Sequence, residues 1–278
     1  MDGRARERWW DTWAPYWAEL ENHHFGRDTI DRVMPFVAGP ALVVGAGHGL
    51  LVEHLMGKGV AAHGVDSSEA MVDMARRRRA LRLVHVDGRA LPFDDAHFRT
   101  VIVSSGVVDY EPEPKQVARV LGESWRVLGP GGSLLVGFYR FPTELDEIYH
   151  RLGVLDGAEL RMDRMFEIHE TVRQRPLACV PRIAAWTGRP YWRTLLWWIR
   201  AGLAVPAALR EEKERVDEVF RAAEQDGLGR RRLIESVPAT LPYRDEAGIR
   251  ALLDEAGQSG AEVIHTPDCI VARIRKTG

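Results

Sequence analysis

Two patterns alternate along the chain: short apolar runs that stop at glycine or an acidic residue, and longer stretches with apolar residues every three or four positions. The runs read as buried strands and the 3.6-residue periodicity as helices packed by one face. Strands are therefore expected at 41–44, 61–65, 83–86, 100–104 and 133–139. Helices are expected between them, at about 49–56, from Ser67 or Ser68 to about 78, and at about 114–128. Gly57-Lys58-Gly59 and Gly129-Pro130-Gly131-Gly132 read as breaks. Upstream, Trp9, Trp13, Trp17 and Leu20 share a helical face, and Asp28 is expected to cap a second helix over 29–37 that ends at Gly39-Pro40. Strand–helix alternation of this kind predicts an α/β fold: a parallel sheet with helices on both faces.

The alternation pauses after residue 139. Segments 143–153, 158–174, 191–204 and 207–226 read as helical, punctuated by Pro176, Pro181, Pro190 and Pro206. It resumes with a helix at 245–256 and strands at 261–265 and 269–274. The chain thus divides into an N-terminal helical lid (1–38), an α/β core (39–140 and 243–278) and a helical insertion after strand five (141–242). Open α/β sheets bind ligands beyond the carboxyl ends of their strands. An insertion leaving from that edge is expected to act as a substrate cap, or alternatively as an oligomerisation lobe.

Chemistry concentrates in ALVVGAGHGLL, at 41–51. Gly45, Gly47 and Gly49 follow a buried strand and open a helix, so a ligand can rest against bare backbone N–H groups there. Asp66, at the end of the next strand, stands where an acid accepts hydrogen bonds from ribose hydroxyls. The dinucleotide fingerprint would need glycine where Leu50 stands, and no Lys-Ser/Thr pair of a phosphate-binding loop follows. These features point to a nucleoside-bearing cofactor, and pyrophosphate binding is not the reading they favour.

G-x-G-x-G before an acidic strand end resembles the S-adenosylmethionine site of class I methyltransferases. LVHVDGRALPFDDAHFRTVIVSSGVVDYEPEP, RVLGPGGSLLVGFY, YRDEAGIRALLDEAGQSGAEVIHT and CIVARIRK follow in order, and together resemble the small-molecule branch typified by ubiquinone and menaquinone biosynthesis. The resemblance covers about 39–140 and 243–278. It implies a Rossmann-like sheet of seven strands, the last two an antiparallel hairpin at the edge, and S-adenosyl-L-methionine as cofactor. It places Gly45, Ala46, Gly47 and Gly49 beside the methionine and ribose and Asp66 on the ribose hydroxyls. Ser67 and Met71 would flank the adenine, Asp87 would hold its amino group with Gly88 and Arg89 lining the pocket, and Ser104, Ser105 and Gly106 would border the methionine. Tyr16 matches a lid tyrosine; the lid tryptophans either shield the sulfonium or pack on the sheet. Proton acceptors, where an acceptor must lose a proton, are Asp109, Tyr139 and His150, with Tyr110, His23, His24, His169 and Glu170 as further candidates. Arg140 is a candidate partner for an acidic group on the substrate.

One position departs from the family pattern. Val43 stands where an acid usually precedes the first glycine by two residues. This keeps open a second reading, a methyltransferase-like protein that binds cofactor or ligand without transferring methyl.

Composition bounds the rest. The net charge is −2, which disfavours nucleic acid as a partner. Cys179 and Cys269 are the only cysteines and offer neither metal spacing nor a disulfide framework. The N-terminus has no apolar signal core, so a cytoplasmic location is expected. No segment reaches membrane-spanning length; the nearest, 194–209, is interrupted by Arg200 and Pro206 and reads as a buried helix, a substrate wall or an interfacial helix in peripheral contact with a membrane. A Trp-rich insertion (Trp186, Trp192, Trp197, Trp198) suggests a small apolar or aromatic acceptor methylated at carbon or oxygen, by a monomer or homodimer.

Overall fold

In the computed structural model, residues 11–13, 16, 27–109, 111, 113–141, 143–174, 176–201, 204–225, 227, 229–266 and 269–277 are described. Trp9, Trp17, Leu20, His23, His24 and Tyr110 lie outside them. The chain divides into two compact units, one of residues 1–140 with 244–278 and the other of 141–243.

The first unit is built around β1 (Ala41–Val44), every residue of which is buried. It pairs in parallel with β2 (Ala62–Asp66) on one side and with β4 (Phe98–Val103) on the other. A strand covered on both faces is apolar at every position, which is why ALVV carries no alternation. With β3 (Val84–His85), β5 (Leu128–Tyr139), β9 (Glu262–His265) and β10 (Cys269–Arg275), the sheet has seven strands in the order β3-β2-β1-β4-β5-β10-β9. β10 runs antiparallel to both β5 and β9, so the last two strands form the expected edge hairpin.

Side chains alternate between two cores. Ala41 and Val43 face a cluster with Ile30 and Val33 of α1 (Arg27–Val33), Leu51, Val52 and Leu55 of α2 (Leu50–Gly57), and Val72 and Ala75 of α3 (Glu69–Arg79). Leu42 and Val44 face the other, with Val117, Val120 and Leu121 of α4 (Pro114–Val127) and Ile249, Leu252 and Leu253 of α11 (Glu246–Glu255). Helices therefore cover both faces, and the strand order reverses between β1 and β4. That reversal opens a crevice at the carboxyl ends of those two strands.

Of the two serines expected to cap α3, Ser68 does so, its Oγ accepting from the Met71 N–H at 3.2 Å. Two boundaries differ from expectation. Asp28 falls inside α1, because the helix starts at Arg27 and gives way to a 3-10 turn at Met34–Phe36. Gly129–Gly132 does not separate α4 from its strand: β5 already begins at Leu128, paired with Phe98, and the register jumps to Ser133 opposite Thr100. The glycines make that bulge, since a Cβ at Gly132 would lie 2.7 Å from the Arg99 carbonyl oxygen.

The second unit is mainly helical: α5 (Thr143–Leu152), α6 (Met162–Gln174), α7 (Cys179–Thr187), α8 (Tyr191–Ala201), α9 (Ala204–Gln225) and α10 (Arg230–Ser236). It also holds a three-stranded sheet, β6 (Leu155–Asp156), β7 (Glu159–Arg161) and β8 (Thr240–Pro242). The segment expected to be helical from 158 thus begins as a strand, turned by Asp156-Gly157 with Gly157 at φ 62°. Pro206 sits in the first turn of α9, where its missing N–H has no partner to lose. Burial pushes the Cys179 thiol up to about 11, so it stays protonated at neutral pH.

Candidate active site

The crevice is formed by the turn after β1 and the loop after β4. At its base the Gly45 and Ala46 N–H groups both donate to the Val65 carbonyl at 2.9 Å, which ties the turn to β2. Gly45, Gly47 and Gly49 have φ of 73°, 55° and 88°, the left-handed region that L side chains rarely adopt. Their surroundings differ. A Cβ on Gly45 would run into Val107 of the loop after β4, and one on Gly49 would meet Leu81 Cδ1 at 2.6 Å. A Cβ on Gly47 would have Met71 Sδ, at 4.0 Å, as its nearest neighbour. Gly47 is the glycine whose missing side chain leaves open space.

Asp66 ends β2 beside that space. Its Oδ2 accepts from the Gly47 N–H at 2.7 Å and its Oδ1 from the Ser68 N–H at 2.9 Å. Each carboxylate oxygen has two lone-pair directions, and among the described residues these bonds occupy one on each. Burial pushes the Asp66 carboxyl above its ordinary value; the two N–H donors and the charge of His85 oppose the rise, and Asp11 adds to it. Asp11 was not legible as a site residue: it is one charge in a charged, aromatic N-terminus. Yet its Oδ1 accepts from the Ser68 Oγ at 2.5 Å, which brings residue 11 to the Asp66 end of the crevice. Trp13 and Tyr16 are buried as well.

Beyond Asp66, Met71 is buried, and the Ser67 carbonyl is 3.0 Å from His85 Nε2. Asp87 and Arg89 face each other: Arg89 Nε reaches both carboxylate oxygens at 2.8 and 2.7 Å, Nη2 reaches Oδ2, and the Arg89 N–H donates to Oδ1 at 2.9 Å. Gly88 must lack a side chain, since a Cβ would lie 2.8 Å from Val44 Cγ1. The loop they sit on is held by Arg126 of α4, which donates to the Phe93 carbonyl at 2.8 Å, the Leu91 carbonyl at 3.0 Å and Asp95 at 2.7 Å. Arg126 is itself paired with Glu123 at 2.8 Å.

Beyond β4, Ser104 is buried and its N–H donates to the Val44 carbonyl at 2.9 Å. Asp109 is buried too, and it organises the loop. Its Oδ1 accepts from the Gly106 N–H and its Oδ2 from the Tyr139 N–H at 3.0 Å. Arg244 Nη1 donates to the Asp109 carbonyl at 2.6 Å and Nη2 to the Glu111 carbonyl at 3.2 Å. Burial lowers the Arg244 guanidinium from its ordinary value, and the charges of Asp109 and Glu111 offset part of that. Arg140 Nη1 reaches the Arg244 carbonyl at 3.5 Å. Neither Arg244 nor Arg126 carries a sequence signal beyond its charge.

The remaining candidates belong to the second unit. His150 is exposed, 3.6 Å from Asp146. His169 is buried, with Nε2 2.8 Å from the Tyr149 hydroxyl. The Glu170 side chain lies outside the described residues. Among the described residues no group of three or more His, Cys, Asp or Glu is placed to hold a metal ion, and no helix is long and apolar enough to cross a membrane. Val43 is fully buried in the apolar cluster under α1 and α2. An acid there would be desolvated, so valine suits the surroundings this chain provides.

Residues 41–132 match the family model described as a methyltransferase domain. Demethylmenaquinone methyltransferase of Clavibacter sepedonicus is 33% identical over 126 residues, covering 44% of this chain and 50% of that protein. Ubiquinone biosynthesis O-methyltransferase of Paramagnetospirillum magneticum is 32% identical over 142 residues, covering 45% and 55%. The chain thus spans about half the length of these curated relatives. A solved Thermotoga maritima structure described as an S-adenosylmethionine-dependent methyltransferase shares the fold at 14% identity and a TM-score of 0.50, over 96% of this chain and 100% of that one. With the seven-stranded order, these likenesses make residues 41–132 a methyltransferase domain of the class I, S-adenosylmethionine-dependent family.

Proposed function

We propose that the chain methylates a small apolar or aromatic acceptor, a quinone-like ring in its hydroxylated form, using S-adenosylmethionine. The observation that carries this reading is the pair formed by Gly47 and Asp66: open space where a side chain would stand at Gly47, beside a carboxylate whose oxygens accept from the Gly47 and Ser68 N–H groups. Asp66 would take the ribose hydroxyls, Met71 and the Asp87–Arg89 loop would border the adenine, and Ser104 with the loop after β4 would border the methionine. Bound there, the cofactor supplies an electrophilic methyl on a positively charged sulfur. The protein's part is to orient the acceptor and exclude water.

Asp109 acts in this scheme as a positioning residue, its carboxylate holding the loop after β4 to the end of β5. The acceptor class rests on the Trp-rich insertion and on the quinone-pathway names of the two curated relatives. Choice of acceptor is assigned to the inserted unit, because the residues of the first unit's crevice are all assigned to the cofactor.

The second reading, binding without transfer, is favoured by one observation: Val43 removes the acid that would organise the cofactor's amino group. One experiment separates the two. Calorimetry with S-adenosylhomocysteine comes first, then transfer of labelled methyl to a prenylated naphthoquinol and a prenylated catechol. Micromolar binding with labelled product supports the enzyme. Micromolar binding with neither acceptor labelled supports the second reading, and no binding removes the enzyme and the cofactor-holding form of the second reading.

A further inference from the structure

Helix α8 in the second unit has two apolar faces, and only one is covered. Thr194 and Trp198 are buried. Trp192, Leu196 and Ile199, spaced at i, i+4 and i+7, are 56%, 42% and 60% exposed. Tyr191 at the start of the helix and Leu177 before α7 are exposed to a similar degree. Isolated exposed apolar residues are ordinary; five large ones from one stretch of helical chain form a patch that needs a partner.

The charges around the patch say which partner. Between residues 171 and 210 the chain has no aspartate or glutamate and seven arginines. The whole protein has 40 acidic residues in 278 and a net charge of −2, so this stretch departs sharply from the rest. Arg189 and Arg193 are exposed, and the Arg193 guanidinium lies over the Trp192 ring at 5.1 Å. Exposed tryptophan and aliphatic side chains beside arginines, in a stretch without acidic residues, match the boundary between acyl chains and anionic headgroups. Helix α8 has 11 residues, about 16 Å long at 1.5 Å per residue, against a hydrocarbon core of roughly 30 Å. It can lie in the interface and cannot cross it.

We propose that the 177–199 face docks on an anionic lipid bilayer, with Trp192, Leu196 and Ile199 entering the headgroup–acyl boundary and Arg189 and Arg193 meeting the lipid phosphates. This goes beyond the assignment of methyl transfer and stands whichever acceptor is used.

The test is co-sedimentation of the full chain with vesicles of phosphatidylglycerol and phosphatidylcholine in equal parts, and with vesicles of phosphatidylcholine alone. The wild type should bind the anionic vesicles at least about ten-fold more tightly and lose that preference in high salt. The Trp192→Ser/Leu196→Ser/Ile199→Ser variant and the Arg189→Glu/Arg193→Glu variant should each lose about ten-fold or more. Both should keep wild-type affinity for S-adenosylhomocysteine, which shows the chain is folded. A wild type that stays in solution, or a triple variant that binds like wild type, overturns the proposal. So does a wild-type dimer in light scattering that the triple substitution splits into monomers, since the face would then be covered by a second copy.

Discussion

Gly45, Gly47 and Gly49 share a backbone conformation but not a task, and an alanine scan should separate them. Alanine at Gly47 adds strain of about 1 kcal/mol from its positive φ and meets no close neighbour. Its methyl group fills the space assigned to the cofactor, so S-adenosylhomocysteine affinity should fall at least about ten-fold while denaturant stability drops little. Alanine at Gly45 adds the same strain and also drives into Val107, whose branched side chain has little freedom to move, so stability should fall by about 2 kcal/mol or more. Gly49 lies between, because the flexible end of Leu81 can turn away. Equal stability losses at all three would mean that the open space over Gly47 is not real. Asp66 gives a second expectation. Its alanine variant should lose about 1.5–3 kcal/mol of cofactor-product binding, the usual value of hydrogen bonds to a charged acceptor. Because burial raises its carboxyl, protonation begins at higher pH than for an ordinary aspartate, and the protonated form accepts poorly. Affinity should therefore decline on acidification before the usual carboxylate range near about 3.9 is reached. Calorimetry from neutral to mildly acidic pH checks this, and a profile flat to that range would place the ribose elsewhere.

At the scale of elements, the loop between β3 and β4 shows how a helix can build a pocket it does not line. Arg126 on α4 closes that loop through two carbonyls and Asp95, and Glu123 accepts from the Leu91 N–H at 2.8 Å. Hydrogen bonding to Arg126 holds the Glu123 carboxyl below its ordinary value. A lowered folded value stabilises the fold above the unfolded value and is lost as pH falls through the folded one. Arg126→Ala should thus destabilise the first unit by about 1–3 kcal/mol at neutral pH, and by less once acid has protonated Glu123; urea melts at two pH values measure both. The sequence carries no trace of this clamp, because an arginine at the end of a helix reads as an ordinary dipole partner. The elements around it were legible for a different reason. Ala41–Val44 and Val101–Val103 are fully buried, so burial alone writes them as apolar runs, and the glycines after β1 follow from backbone geometry. What stayed hidden depends on distant partners or on very short strands. β6 has two residues, Leu155–Asp156, too few for a period to show, and only Asp156-Gly157 marked the turn. Leu128 reads as the end of a helix until Phe98 is known to pair with it.

For the whole molecule, the decisive fact is that all seven strands of the main sheet belong to the first unit, on both sides of the insertion. The chain leaves that unit after Arg140 and returns at Arg244, and the Arg140 side chain reaches the Arg244 carbonyl at 3.5 Å. The two ends are therefore close enough for a short flexible linker, and the entropy of closing such a loop grows only slowly with its length. Removing residues 141–243 and joining Arg140 to Arg244 by a few glycines and serines should leave a folded sheet. The Asp109 carboxylate, its partners Gly106 and Tyr139, and Arg244 are all retained, so the loop after β4 keeps its hydrogen bonds. The shortened protein should bind S-adenosylhomocysteine within about three-fold of the full chain, since every residue assigned to the cofactor survives. It should transfer no methyl to an acceptor that the full chain methylates, because acceptor choice is assigned to the removed unit. It should also stay in solution with anionic vesicles, which carry nothing for it to meet once α8 is gone. Cooperative melting, calorimetry, a transfer assay and sedimentation read these outcomes separately. Full transfer by the shortened protein would return acceptor recognition to the first unit and leave the insertion with the lipid surface alone.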